Sequence, residues 1–191
     1  MRADLPILAF AEARAFEDWL DSQGPTAPGL WLRLAKKGAP ERTLTKAEAI
    51  DAALCHGWID GQLDAYDDHY WLIRFTRRKP RSKWSELNRK RAAELLAADR
   101  MRPAGVAQIE MAKSDGRWDR AYAPASAAEP PPDLVAALDA HPEAAAFFAT
   151  LTGANRYAIL YRIGAVKTPE TRARKIAQFI AMLERGETIH G

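Results

Sequence analysis

Residues 43–57 carry both ends of a helix, and no other stretch constrains the fold of this chain as strongly. Thr45 and Glu48 have the spacing of a capping box, in which each side chain satisfies a free backbone donor of the first helical turn. Ile50, Ala53 and Leu54 form the apolar stripe, and Gly57 suits the left-handed residue that closes a helix. On both sides the apolar period changes to two. LWLRLAK at 30–36 sets Leu30, Leu32 and Leu34 against Trp31 and Arg33, the pattern of a half-buried strand. A second strand at 58–60 follows Gly57 directly, and DAYDDH at 64–69 reads as a polar turn. YWLIRFTR at 70–77 then returns as a third strand, antiparallel to its neighbour because the connection is short.

Helices surround this sheet. Residues 11–22 place Ala15, Phe16, Trp19 and Leu20 on one face, and Gly24 with Pro25 ends the run. Ser82 is the expected cap of a helix from 83 to about 100, and residues 103–117 form another, stopped by Gly116. AYAPASAAEPPP at 121–132 has no periodicity and reads as a linker. Beyond it come short helices at 132–140 and 142–150, and a last one with Thr168 as cap, Pro169 at its first position and Gly186 past its end. The expectation is an α+β fold: a small antiparallel sheet packed with helices over 1–120, the linker at 121–132, and a helical C-terminal region over 133–191. With 48% apolar residues the chain can build a true core.

Cys55 is the only cysteine, so no intrachain disulfide can form. Asp4 and the short apolar run at 5–11 make a poor leader, and no run of 18 apolar residues exists for a membrane span. A cytoplasmic location follows as the expectation.

Charge is concentrated. Residues 74–91 hold nine basic side chains and one acid, while the whole chain carries only +3. A local field of that kind favours anionic partners. Arg77 and Arg78 leave the end of a strand, Arg81 follows a proline, and Ser82 would then open a helix whose free N–H groups attract anions. Trp84 and Asn88, four apart, share a helix face and would add a stacking plane and a polar contact. Lys36 ends the first strand and would reach the same anion if the strands pair. The competing reading is a solvated basic face with Trp84 in the core.

Asp60 sits beside the reversal at Gly61 and is expected to pair with an arginine of 74–81. That pairing suits a ligand-orienting carboxylate better than a general base, because a nearby cation lowers a carboxyl pKa. Cys55 and His56 are neighbours on a helix, about 100° apart, so they do not form a nucleophile–base pair. Cys55 reads as a small core residue. His56, Asp60, Asp64, Asp67, Asp68 and His69 are metal-ligand types, but their spacing fits no known motif and they read as a solvated turn. Neither a metal nor a cofactor is expected. Lys167, Thr168, Thr171 and Arg172 form a second basic helix start.

Five fragments together resemble the YdeI/OmpD-associated (OmdA, bacteriocin-protection) family of bacterial proteins. They are WLRLAKKG at 31–38, ALCHGWIDG at 53–61, RFTRRKPRSKWSELN at 74–88, GRWDRAY at 116–122 and AVKTPETRARKI at 165–176. The resemblance implies small bacterial proteins linked by name to stress or bacteriocin tolerance and to a porin, and it brings no reaction or catalytic residue. Three functions therefore stay open, in this order. The first is a protein that binds an anionic small molecule or acidic partner at Lys36, Asp60, Arg77, Arg78, Arg81, Ser82, Trp84 and Asn88. The second is an enzyme on a phosphorylated or carboxylated substrate, with Asp60 or His56 moving protons. The third is a nucleic-acid binder that stacks bases on Trp71, Phe75 or Trp84, against which the modest net charge counts. No membrane insertion is expected, and the oligomeric state is open.

Overall fold

A computed structural model describes residues 5–166 and 168–190; Asp4 and Lys167, both used above, lie outside it. The chain divides into two compact units, Met1–Ala121 and Tyr122–Gly191. The first is α+β and the second is helical. In the first, strands β1 (Ile7–Leu8), β2 (Leu30–Ala35), β3 (Trp58–Ala65) and β4 (Tyr70–Arg77) accompany helices α1 (Ala13–Ser22), α2 (Lys46–Cys55), α3 (Glu86–Ala97) and α4 (Pro103–Ser114).

The sheet order is β1-β2-β4-β3. β4 pairs antiparallel with both β2 and β3, so the third strand lies between the other two. β1 adds to β2 in parallel, which makes the sheet mixed rather than purely antiparallel. Two residues are too few to show an alternation, so β1 left no mark in the sequence. β3 runs well past residue 60, bulged between Asp60 and Leu63, because the segment read as a polar turn forms the far end of a long hairpin.

Leu30, Leu32 and Leu34 point into a core with Phe16, Leu20, Trp58, Ile73 and Phe75, which packs α1 and α2 on one sheet face. The capping box of α2 is formed: Thr45 Oγ1 accepts from the Glu48 N–H and Glu48 accepts from the Thr45 N–H. Gly57 follows with φ +75. A second cluster joins the end of α2 to α3 and α4 through Leu54, Cys55, Trp84, Leu95 and Ile109.

The helix after β4 starts later than its sequence suggests. Its cap is Ser85, whose Oγ accepts from the Asn88 N–H at 3.1 Å. Ser82 instead belongs to a turn, its Oγ accepting from the Lys79 N–H and its own N–H donating to Lys79 O, both at 2.9 Å. Trp84, 2% exposed, is buried just ahead of the helix rather than on it.

The second unit comprises α5 (Pro132–Asp139), α6 (Pro142–Thr150), α7 (Gly153–Gly164) and α8 (Pro169–Glu184) around Leu134, Phe148, Ile159, Ile163, Phe179 and Ile180. Thr168 caps α8 as expected. α7 escaped the sequence reading because Thr152 makes no capping bond, glycine stands at both ends, and Tyr157, Ile159 and Tyr161 favour strands.

Candidate functional site

Two glycines bring the end of α2 against the start of α4. A Cβ on Gly105 would lie 2.3 Å from Cys55 O and 2.8 Å from Leu54 O, so only glycine lets α4 approach those carbonyls. A Cβ on Gly57 would lie 2.9 Å from Ala104 O. The Arg102 N–H donates to Cys55 O at 3.0 Å and closes the junction. Arg102, at the N-cap of α4, makes no side-chain capping bond and so keeps its guanidinium for other contacts.

Beside this junction lies a cleft of about 640 Å³ whose walls include Asp21, Pro25, His56, Trp58, Arg77 and Arg102. That volume suits a small molecule. Leu20 and Trp58 give it an apolar floor, continuous with the core. Two guanidinium groups and an imidazole share it with one carboxylate, so the cleft has a positive excess. His56 is buried, with Nδ1 2.7 Å from Ala52 O and Nε2 3.0 Å from Asp21 Oδ1. Both ring nitrogens are therefore engaged, and His56 has neither left to act as a free base. Asp21 also accepts from Arg102 Nη2 at 3.3 Å, which orders the set His56–Asp21–Arg102. Arg77 donates through Nη1 to Pro25 O at 2.7 Å and joins the cleft from the end of β4.

The basic run is thus dispersed. Neighbours on an extended chain point opposite ways. Arg77 turns into the cleft, while Arg78, 6% exposed, lies 3.6 Å from the Trp84 ring centroid and donates to Lys83 O. Arg81 is exposed on the turn with Ser82. Arg89 donates to Trp118 O, and Arg91 forks onto Asp51.

Asp60 accepts from Asn88 Nδ2 at 3.0 Å, so its partner is the amide and not an arginine of 74–81. Lys36 stands apart: β2 pairs Ala35 with Tyr70 and Leu30 with Phe75, so Lys36 and Arg77 lie at opposite ends of β4. At a rise of about 3.3 Å per residue that separation is roughly 23 Å. Lys36 Nζ donates instead to Asp67 O at 2.7 Å. Of the expected site residues, only Arg77 lines the cleft; Arg78, Ser82 and Trp84 gather beside it, and Asp60 with Asn88 forms a separate pair.

Asp21 and Arg102 were not foreseen. Asp21 is 35 residues from His56 and 81 from Arg102, so no local spacing announced either contact. Burial raises the Cys55 thiol pKa, in keeping with an inert core residue. Among the described residues no group of three or more His, Cys, Asp or Glu side chains is placed to hold a metal ion, and no helix is long and apolar enough to cross a membrane.

The helical unit has its own groove, of about 610 Å³, floored by Ala137, Ala173, Ile176, Ala177 and Ile180. Arg172 forks onto Asp133 at one end, and His141 Nδ1 lies 2.8 Å from Glu184 Oε1 at the other. Arg172 also donates to Ile163 O, so this residue of the second basic helix start is committed to internal contacts. Its bonding holds the Asp133 carboxyl below the ordinary aspartate range.

Two family models match the chain. One, described as a domain of unknown function (DUF8412), matches residues 8–108. The other, described as Bacteriocin-protection, YdeI or OmpD-Associated, matches residues 127–186. No curated protein and no solved structure matches it.

Proposed function

Since the chain belongs to the DUF8412 family and carries an OmdA match in its helical unit, we propose that its α+β unit binds a small anionic molecule in the cleft between α1, the end of β4 and the start of α4. The observation that carries this reading is the charge excess: Arg77 and Arg102 stand against Asp21 alone, over an apolar floor. A guanidinium fork suits a carboxylate or phosphate, and the floor suits an apolar body attached to it. The anion would sit at a basic helix N-terminus, that of α4 rather than the one after β4.

Binding fits the geometry better than turnover. Neither nitrogen of His56 is left to take a substrate proton, and Asp60 lies outside the cleft with Asn88 as its partner. A nucleic-acid surface fits less well, because Arg77, Arg78, Arg89 and Arg91 of the basic run make internal contacts. The bacteriocin protection named in the description of the OmdA match supports a tolerance role as the proposed setting, with stress response and a cytosolic location as part of the proposal.

Thermal unfolding with phosphate, benzoate and phenyl phosphate tests the reading. A ligand at 100 times its Kd stabilises the native state by about 2.7 kcal/mol, so at least one of these anions should raise Tm with concentration. Phenethylamine, which has the ring and the opposite charge, should not. An equal response to the amine, or none to any anion at millimolar concentration, would refute it.

A further inference from the structure

We propose that the helical unit holds an uncharged, elongated apolar molecule in the groove that α5 and α8 line. Its volume of about 610 Å³ lies within the range of small-ligand pockets, roughly 300–1,000 Å³. α8 lines it from Thr168 to Glu184, a run of about 24 Å at the helical rise of about 1.5 Å per residue, so the occupant is long rather than round.

The trough follows from residue size. Ala173, Ala177 and Ala181 recur at every fourth position of α8 and so share a face, where each presents a single methyl group. Ala137 of α5 lines the same groove. Ile176 and Ile180, 6% and 4% exposed, join its floor to the core of the unit. An apolar body laid along these methyls removes apolar surface from water on both sides of the contact.

Charge selects the class of ligand. Every nitrogen of the Arg172 guanidinium is engaged: Nε and Nη2 on Asp133, and Nη1 on Ile163 O. At the other end Glu184 is taken by His141. A ligand carboxylate would have to compete with Asp133 for Arg172, and a ligand ammonium with His141 for Glu184. Either ion would also give up water against an apolar floor, which is costly without a partner. A neutral molecule meets neither cost, and a terminal hydroxyl, able to donate and to accept, fits beside either pair without opening it.

Binding of N-phenyl-1-naphthylamine, an uncharged dye whose emission rises in apolar surroundings, tests this on the whole chain. The dye should bind saturably, and 1-octanol should displace it at least tenfold more effectively than octanoate or octylamine. Ala173 and Ala177 are exposed, so a larger side chain there fills the trough without entering the core. Ala177→Trp should weaken dye binding at least tenfold, while Arg77→Ala, in the cleft of the other unit, should leave it intact. If Ala177→Trp does not fold, Ala173→Leu takes its place. Dye binding that does not saturate, that octanoate or octylamine displaces as well as 1-octanol, or that the filled groove leaves unchanged would overturn the proposal. So would sedimentation of the wild type as a dimer that Ala177→Trp dissociates, because a second copy would then cover the groove.

Discussion

The charged cleft of the α+β unit and the apolar groove of the helical unit have similar volumes, about 640 and 610 Å³, and different charge pairing. In the groove Arg172 and His141 each have their own carboxylate, Asp133 and Glu184. In the cleft Asp21 serves both His56 and Arg102, and Arg77 rests on a backbone carbonyl. Counting basic residues in the sequence does not reveal this difference, because both regions are rich in them. What distinguishes a binding position is whether the fold has already supplied each cation with a counter-charge.

The sharpest way to separate the two regions is to damage one core at a time. Phe16 is fully buried in the first unit, and Phe16→Ala should cost about 3–5 kcal/mol in denaturant unfolding. Phe179→Ala in the second unit should be similarly costly, yet leave anion affinity in the cleft unchanged. A loss of affinity there would mean that the cleft does not belong to the first unit alone.

Glycine substitutions should differ in sign. Gly105→Ala forces a Cβ into the Cys55 and Leu54 carbonyls, so overpacking of about 1–3 kcal/mol is expected, together with weaker anion binding as Arg102 moves. Gly164→Ala in α7 meets nothing within 4 Å and should stabilise by about 0.4–1 kcal/mol. Both are read from unfolding midpoints.

A smaller effect is expected at the groove rim. Asp133 is half-exposed, so Asp133→Asn should cost no more than about 1 kcal/mol at neutral pH. Hydrogen bonding from Arg172 depresses the folded carboxyl pKa, so this stability is present above the unfolded value and is lost as pH falls through the folded one. Wild type and variant should therefore differ still at the ordinary aspartate value of about 3.9 and converge only at more acid pH, below the depressed folded pKa. Smallest of all is a thiol test: burial raises the Cys55 pKa, so a disulfide reagent should leave native Cys55 unmodified at mildly alkaline pH and label it on unfolding.

Local features were legible in the sequence. The Thr45–Glu48 box spans four residues, the leucine alternation of β2 five, and the Thr168–Pro169 start of α8 two, so each is decided by neighbours alone. Ser82 and Ser85 show the limit. Both precede a helical pattern, and the choice between them depends on the turn that uses Ser82 and on the burial of Trp84. The cleft was less legible still. Arg77 was visible as part of a basic run, but its separation from Arg78 follows from strand alternation at the end of β4. Its companions Asp21, His56 and Arg102 meet only when Gly57 and Gly105 let two helix ends touch. Lys36 was misjudged because the pairing of β2 with β4 sends it to the far end of the sheet.

The central claim is that a guanidinium at the end of β4 confers anion affinity on the cleft. Calorimetric titration of phenyl phosphate into wild type and Arg77→Ala, both shown to be folded, tests it most directly. The account predicts one-to-one binding in the wild type, weakened at least tenfold in the variant, or about 1.4 kcal/mol. Equal affinity in the two proteins would contradict it.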